Sequence, residues 1–293
     1  DSSGDSNGNS NGNAVAGLAE KSLRDLLAAA LPQPVFGPSQ EYDKWATEDC
    51  RITPMRELLA NGEEGDTFYV TYVAVPDRIM DHGKGIDRPK PLETSTALLR
   101  TRDFLNFENL GIISPPLSDN KDIALFPKKI KAKNSEDGEV KEKYAMLHRP
   151  NRWSKKWFED KYEKDIHVPI PENMKPEDLP LLPSIWIAFS DDLKIWSDHR
   201  MLLSPSHASD AKIGPGIPPI ETPDGWLMIY HHVDVIEKPE NPESPYRYSM
   251  RVALLDLDDP SRIIAKLPYD ILEPETAYET RNGMHIVFQT GGY

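Results

Sequence analysis

The chain has 293 residues, room for one large domain or two modest ones, and a chain of that size buries about 75% of its unfolded surface. Its 34 Lys and Arg face 48 Asp and Glu, a net charge of −14, which excludes general binding to nucleic acid or anionic membrane because phosphate-rich surfaces repel it. A lone cysteine, Cys50, excludes an internal disulfide framework and a cysteine-built zinc site, and no apolar run approaches the roughly 18 residues of a membrane span.

Residues 1–13, DSSGDSNGNSNGN, contain no apolar side chain and read as a flexible arm ahead of a domain over 14–293. Residues 14–31 have helical spacing and form the one good helix candidate. From there the chain is a succession of short β-rich runs: 68–75, 96–101, 123–126, 144–147, 185–189, 226–231, 251–257 and 284–288. Turn-rich segments separate them, the pattern of an all-β fold. The 27 prolines agree with many short loops, since proline suits turns and not central strands. Two charged stretches, 131–143 and 151–182, are expected to be long surface loops. No basic-then-apolar leader opens the chain, so a cytoplasmic location is expected. The start at Asp1 and the stop after Gly291-Gly292-Tyr293 read as a processed or incomplete chain.

A weak repeat is present. Residues 96–114 (TALLRTRDFLNFENLGIIS) and 184–204 (SIWIAFSDDLKIWSDHRMLLS) both run strand, Asp, turn, strand, aligning Asp103 with Asp192 and Phe104 with Leu193. Residues 253–274 form a looser third copy. Such units recurring every 65 to 90 residues suggest blades of a β-propeller; hairpins of a sandwich are the alternative.

Several clusters gather reactive side chains. In Glu48-Asp49-Cys50-Arg51 a carboxylate lies beside an arginine, an arrangement that sets a carboxyl group's pKa and direction; a salt-bridged surface turn reads the same way. Lys121-Asp122 precedes the apolar run at 123–126, and Tyr144 opens a run that ends at His148-Arg149. Lys212-Ile213-Gly214-Pro215-Gly216 places a lysine beside a rigid turn, and the next strand delivers His231. Lysine offers an anion a compact charge and histidine offers it a donor. Metal-ligand spacing is wanting beyond His231-His232, whose side chains face opposite sides of a strand, so no metal site is expected.

Taken in order, these stretches resemble glycoside hydrolase family 130, the β-mannoside phosphorylases and related hydrolases. The resemblance rests on EDCRI at 48–52, NKDIALFPKKI at 120–130, YAMLHRP at 144–150, KIGPGIPPIETPDGWLMIYHHV at 212–233 and ILEPETAYE at 271–279. It implies a five-bladed β-propeller; at about 65 residues per blade, 293 residues make closer to four blades than five, so parts of the first and last blades are expected to be missing. It also implies a role for each matching residue. Asp49 is the general acid, acting through a sugar hydroxyl. Arg149, Lys212 and His231 hold phosphate, as does Lys121, and Glu48, Arg51, Asp122 and Tyr144 bind the sugar. Cys50 stands where the family usually has proline.

An inverting hydrolase needs a carboxylic acid and a second carboxylate as base. A phosphorylase dispenses with the base, because phosphate is already an anionic nucleophile, and needs cations instead. One acid beside a basic set fits the second description. The expected reaction is inverting phosphorolysis of a terminal β-mannoside to α-mannose 1-phosphate, with inorganic phosphate as co-substrate and no cofactor. The expected partners are that β-mannoside oligosaccharide and phosphate, with homo-oligomerisation left open. A β-mannoside hydrolase on the same scaffold and an inactive carbohydrate-binding propeller are the alternatives.

Overall fold

The computed structural model describes residues 36–59, 62–76, 94–115, 118–133, 138–153, 166–167, 183–205, 210–242 and 244–289. The expected arm at 1–13 and helix at 14–31 lie outside the described residues, as does nearly all of 154–182. The strands belong to one compact unit that starts at Pro38, and they form three sheets.

In the first sheet β1 (Ala46–Leu58), β2 (Glu64–Val75), β3 (Ser95–Thr101) and β4 (Glu108–Ile112) pair antiparallel in chain order. The second contains β5 (Ser118–Leu125), β6 (Ile130–Lys133), β7 (Val140–Trp153), β8 (Ile166–His167), β9 (Ile185–Ser190) and β10 (Ser197–Leu203), in the order β5-β7-β9-β10-β8 with β6 on β7. The third holds β11 (Asp210–Pro215), β12 (Ile220–Thr222), β13 (Gly225–Val235), β14 (Tyr246–Leu255), β15 (Ile263–Lys266) and β16 (His285–Ile286). There the order is β11-β13-β14-β15, with β12 beside β13 and β16 parallel to β14. A 3-10 turn at Arg281–Gly283 is the one helical element among the described residues.

The middle sheet packs on both neighbours, which explains its sequence. Along β9 every residue is buried: Ile185, Ile187 and Phe189 join the cluster shared with Trp226, Met228, Tyr230 and Leu255 of the third sheet. Ala188 instead faces the cluster with Met55, Tyr69 and Leu98 of the first sheet. β7 divides in the same way, Leu147 to one side and Met146 to the other. A strand buried on both faces loses polar alternation and reads as a continuous apolar run. The first strands of the three sheets adjoin, β1 with β5 and β5 with β11.

The repeat has a structural cause. The hydroxyls of Thr101 and Ser190 accept hydrogen bonds from the amides of Phe104 and Leu193. The carboxylates of Asp103 and Asp192 accept from the amides two and three residues onward. Phe104 and Leu193 both take the left-handed conformation, with φ 55° and 65°. Those amides, with Asn106 foremost, hold the Asp103 carboxyl down to about 2. Asp256 in the third copy accepts the corresponding amides of Asp258 and Asp259.

Two expectations need correction. The segment 131–143 is not simply a surface loop: β6 and the start of β7 form a ladder from Ile130↔Lys143 to Lys133↔Val140. Buried Ile130 and Ala132 alternate with outward charge, so a high lysine content concealed a half-buried strand. The strand expected at 284–288 is paired only at His285–Ile286.

Candidate active site

Each of the three adjoining first strands carries one extra residue relative to its partner. On β1 the register passes from Glu48↔Val73 to Arg51↔Thr71. On β5 it passes from Lys121↔Arg149 to Ala124↔Leu147, and on β11 from Asp210↔Asp234 to Lys212↔Val233. These are β-bulges, which bend a strand and re-aim its side chains. Asp49 and Asp122 sit in the first two with φ 50° and 60°, a conformation aspartate tolerates better than most residues. Glu48-Asp49-Cys50-Arg51 therefore lies inside β1 and is not a surface turn.

Asp122, 1% exposed, is the centre of the site. Arg51 Nη2 donates to its Oδ1 at 3.2 Å, Arg149 Nη2 makes an ion pair with Oδ2 at 2.8 Å, and His231 Nε2 stands 3.5 Å from Oδ2. Burial pushes the Asp122 carboxyl up, but the guanidiniums of Arg149 and Arg51 outweigh it and hold the group well below the usual carboxylate range. Burial drives His231 the other way, down to about 3; Asp122 opposes that shift and the two arginines reinforce it. His231 is therefore neutral at pH 7.

The two arginines differ in what they have left to give. Arg51 donates from Nε to Gly216 O at 2.6 Å, from Nη1 to Asp49 O at 2.8 Å and from Nη2 to Pro215 O at 3.2 Å. It thereby ties β1, β5 and the end of β11 together. Arg51, expected to bind the sugar, makes four hydrogen bonds to protein acceptors and so holds an organising position among these strands. Among the described residues, Arg149 Nε and Nη1 are buried and without a hydrogen-bond partner, and His231 Nδ1 is in the same condition. Such groups are destabilising unless something fills them.

Gly214 makes this packing possible. A Cβ there would stand 2.5 Å from the His231 ring and 2.7 Å from Asp122 Oδ2. Lys212 reaches the same region, its ammonium over Tyr248 at 5.2 Å and Tyr246 at 5.8 Å. Aromatic faces attract the cation without neutralising it. Lys121 Nζ lies 2.9 Å from Asp49 Oδ2 at the more open edge of the site.

The structure thus brings Asp49, Arg51, Lys121, Asp122, Arg149, Lys212 and His231 together. Glu48 is exposed on β1. Tyr144 is not brought in: it lies five residues along β7 from Arg149, about 16 Å at strand rise, and packs against the Met55–Tyr69 cluster under Lys129. Sequence reasoning missed Phe288, whose ring lies 5.0 Å from that of His231 and 6.0 Å from the Arg51 guanidinium, and Gln289, buried over Gly216. The apolar spacing at 284–288 marked a strand and nothing more.

His232, on the opposite face of β13, joins Asp210 at 2.9 Å and Asp234 at 3.5 Å. One ligand-type atom from each of the three lies within 4.8 Å of the others. Arg247 binds Asp234 at 2.8 Å and Arg251 binds the neighbouring Asp270, so this cluster carries its own counter-cations.

A family model described as β-1,4-mannooligosaccharide phosphorylase matches residues 21–292. A β-1,2-mannobiose phosphorylase of Thermoanaerobacter sp. is 46% identical over 263 residues, covering 88% of this chain and 63% of that protein. A 1,2-β-oligomannan phosphorylase of the same organism is 31% identical over 264 residues, covering 89% and 65%. Among solved structures, the β-1,2-mannobiose phosphorylase of Listeria innocua in complex with β-1,2-mannobiose superposes with a TM-score of 0.59 at 31% identity, covering 90% of this chain and 56% of that one. The chain spans 54% to 65% of the length of the curated relatives that it matches over most of its own.

Proposed function

This chain belongs to glycoside hydrolase family 130, and from that premise we propose that it works in the inverting phosphorolysis of terminal β-mannosides, on a five-bladed β-propeller. The observation that carries the reading is the unspent hydrogen-bonding capacity of Arg149 and His231 beside Lys212. Among the described residues, Arg51 and Arg149 pair with Asp122, Lys121 pairs with Asp49 and Lys212 acts on His231, so four cations stand against two carboxylates inside a chain of net charge −14. A small polyanion suits such a place, because it is drawn in by charge and fills the idle donors at once.

In this mechanism Arg149, Lys212, His231 and Lys121 hold phosphate with one oxygen behind the anomeric carbon. That oxygen bonds to the anomeric carbon as the glycosidic bond breaks, and the electron pair leaves with the glycosidic oxygen. Asp49 supplies the proton to that oxygen through a sugar hydroxyl, and the configuration at carbon inverts, giving α-mannose 1-phosphate. Neutral His231 accepts a phosphate O–H at Nδ1 without adding a charge. Arg51 and Asp122 position rather than react: Arg51 grips the carbonyl of Asp49, and Asp122 sets the two guanidiniums. No cofactor is required, phosphate being the second substrate.

The relatives at 46% and 33% identity are named for β-1,2-mannobiose, which makes that disaccharide the first substrate to try, with β-1,4-mannobiose beside it. Incubation with and without phosphate, followed by anomer-resolved NMR, tests the proposal. Phosphate-dependent α-mannose 1-phosphate is expected; free mannose released equally without phosphate would establish hydrolysis instead.

A further inference from the structure

Resting on the reading of this site as a β-mannoside site, we infer that Gln289 is a sugar-binding residue, reading a pair of hydroxyls on the mannoside rather than the phosphate. Three observations meet there. Gln289 is only 7% exposed, and neither its Oε1 nor its Nε2 has a hydrogen-bond partner among the described residues. Its side chain lies directly over Gly216, where a Cβ would fall 1.7 Å from Nε2. Gly216 is also the residue whose carbonyl Arg51 grips through Nε, so the amide stands beside the clamp that sets Asp49. The preceding residue, Phe288, faces His231, which places the 288–289 pair along the cationic basin.

The chemistry of an amide selects its ligand. The arginines and lysines of the basin are ionic, and Arg149, which has spare capacity among the described residues, donates to anions. Gln289 is neutral and offers a donor and an acceptor side by side. A phosphate oxygen satisfies Nε2 but leaves Oε1 against negative charge. Two neighbouring hydroxyls satisfy both atoms, one accepting and the other donating, which is the surface of a sugar ring. A buried group built to hydrogen-bond a hydroxyl discriminates strongly against a ligand lacking it, because the protein atom is then left unpaired. The division of labour is thus Arg149, Lys212 and His231 for the anion, and Gln289 for the carbohydrate.

The test separates the two substrates. Gln289→Met keeps the length of the side chain and removes both polar atoms; Gln289→Asn serves as a second variant, and melting curves for each establish that it is folded. With β-1,2-mannobiose, Q289M is expected to raise the KM for mannoside about tenfold or more while the KM for phosphate stays within about twofold. Calorimetric titration of β-1,2-mannobiose in phosphate-free buffer reads the same loss without turnover. A KM for phosphate that rises in parallel, or mannoside binding unchanged in both folded variants, overturns the inference. Should the wild-type protein bind mannobiose but cleave nothing with phosphate, the phosphorolysis reading fails alone, and loss of binding in Q289M still supports Gln289. Wild-type protein that binds no mannoside overturns both.

Discussion

Two aspartates in the same left-handed conformation have opposite duties in the proposed mechanism, and their burial separates them. Asp49 has a side chain 35% exposed and one ionic partner, Lys121; Asp122 is enclosed by Arg51, Arg149 and His231. Asp49→Asn removes the proton source and little else. Its kcat is expected to fall by about 10²- to 10⁴-fold with an unchanged melting curve, and turnover that survives the substitution excludes Asp49 as the acid. Asp122→Ala strands two buried guanidiniums without a counter-charge, so urea denaturation is expected to show a loss of about 3 kcal/mol or more. The identity of both residues was legible from the chain as a carboxylate beside a cation. The resemblance already put the acid on Asp49; the enclosure of Asp122 between two guanidiniums was not legible, because burial depends on which strands meet.

At the scale of elements, what the sequence reveals depends on whether a feature leaves a periodic trace. The Asp103 and Asp192 turns were visible because each needs a hydroxyl, an aspartate two residues on and an apolar residue after it. The apolar runs of β7 and β9 were visible because the middle sheet is buried on both faces. The bulges were not, since one extra residue shifts alternation by a single position and costs no change in composition. Yet the bulges bring Asp49, Asp122 and Lys212 to one place, and Gly214 lets the third strand pass close enough. Gly214→Ala forces the His231 ring or the Asp122 carboxylate aside. A stability loss of about 1 to 3 kcal/mol is expected in urea denaturation, together with a raised KM for phosphate. A variant of native stability and unaltered phosphate KM shows that β11 has more room than its 2.5 Å approach allows.

For the molecule as a whole, the acidic net charge and the cationic site are compatible because they occupy different dielectric surroundings. Surface carboxylates are hydrated and screened, whereas the cations around Asp122 act across a nearly dry interior where charge is felt strongly. The same burial makes the fold sensitive to mild acid through histidine rather than carboxylate. His231 is held down to about 3, by burial first. His148 is also held well below its ordinary value, by burial and then by His199, whose Nδ1 lies 3.1 Å from its Nε2. Both are neutral when folded, while in the unfolded chain they take up protons near pH 6.5. Between pH 6.5 and about 3 the unfolded state therefore binds more protons, so stability is complete above pH 6.5 and is lost as the pH falls below it. Asp122, held low, contributes stability that is fully present above its unfolded-state value of about 4 and is lost as the pH falls from there toward its folded value. Two such histidines give a slope of about 2 to 3 kcal/mol per pH unit near pH 5. Urea denaturation at pH 7.5, 6.0 and 5.0 measures it, and His148→Gln, which retains a neutral hydrogen-bonding side chain for Asn120, is expected to reduce the slope by about half. A stability curve flat from pH 7.5 to 5.0 would mean that both rings take up protons within the fold as they do in the unfolded chain, with the ion pair between His231 and Asp122 as the first place to look by NMR.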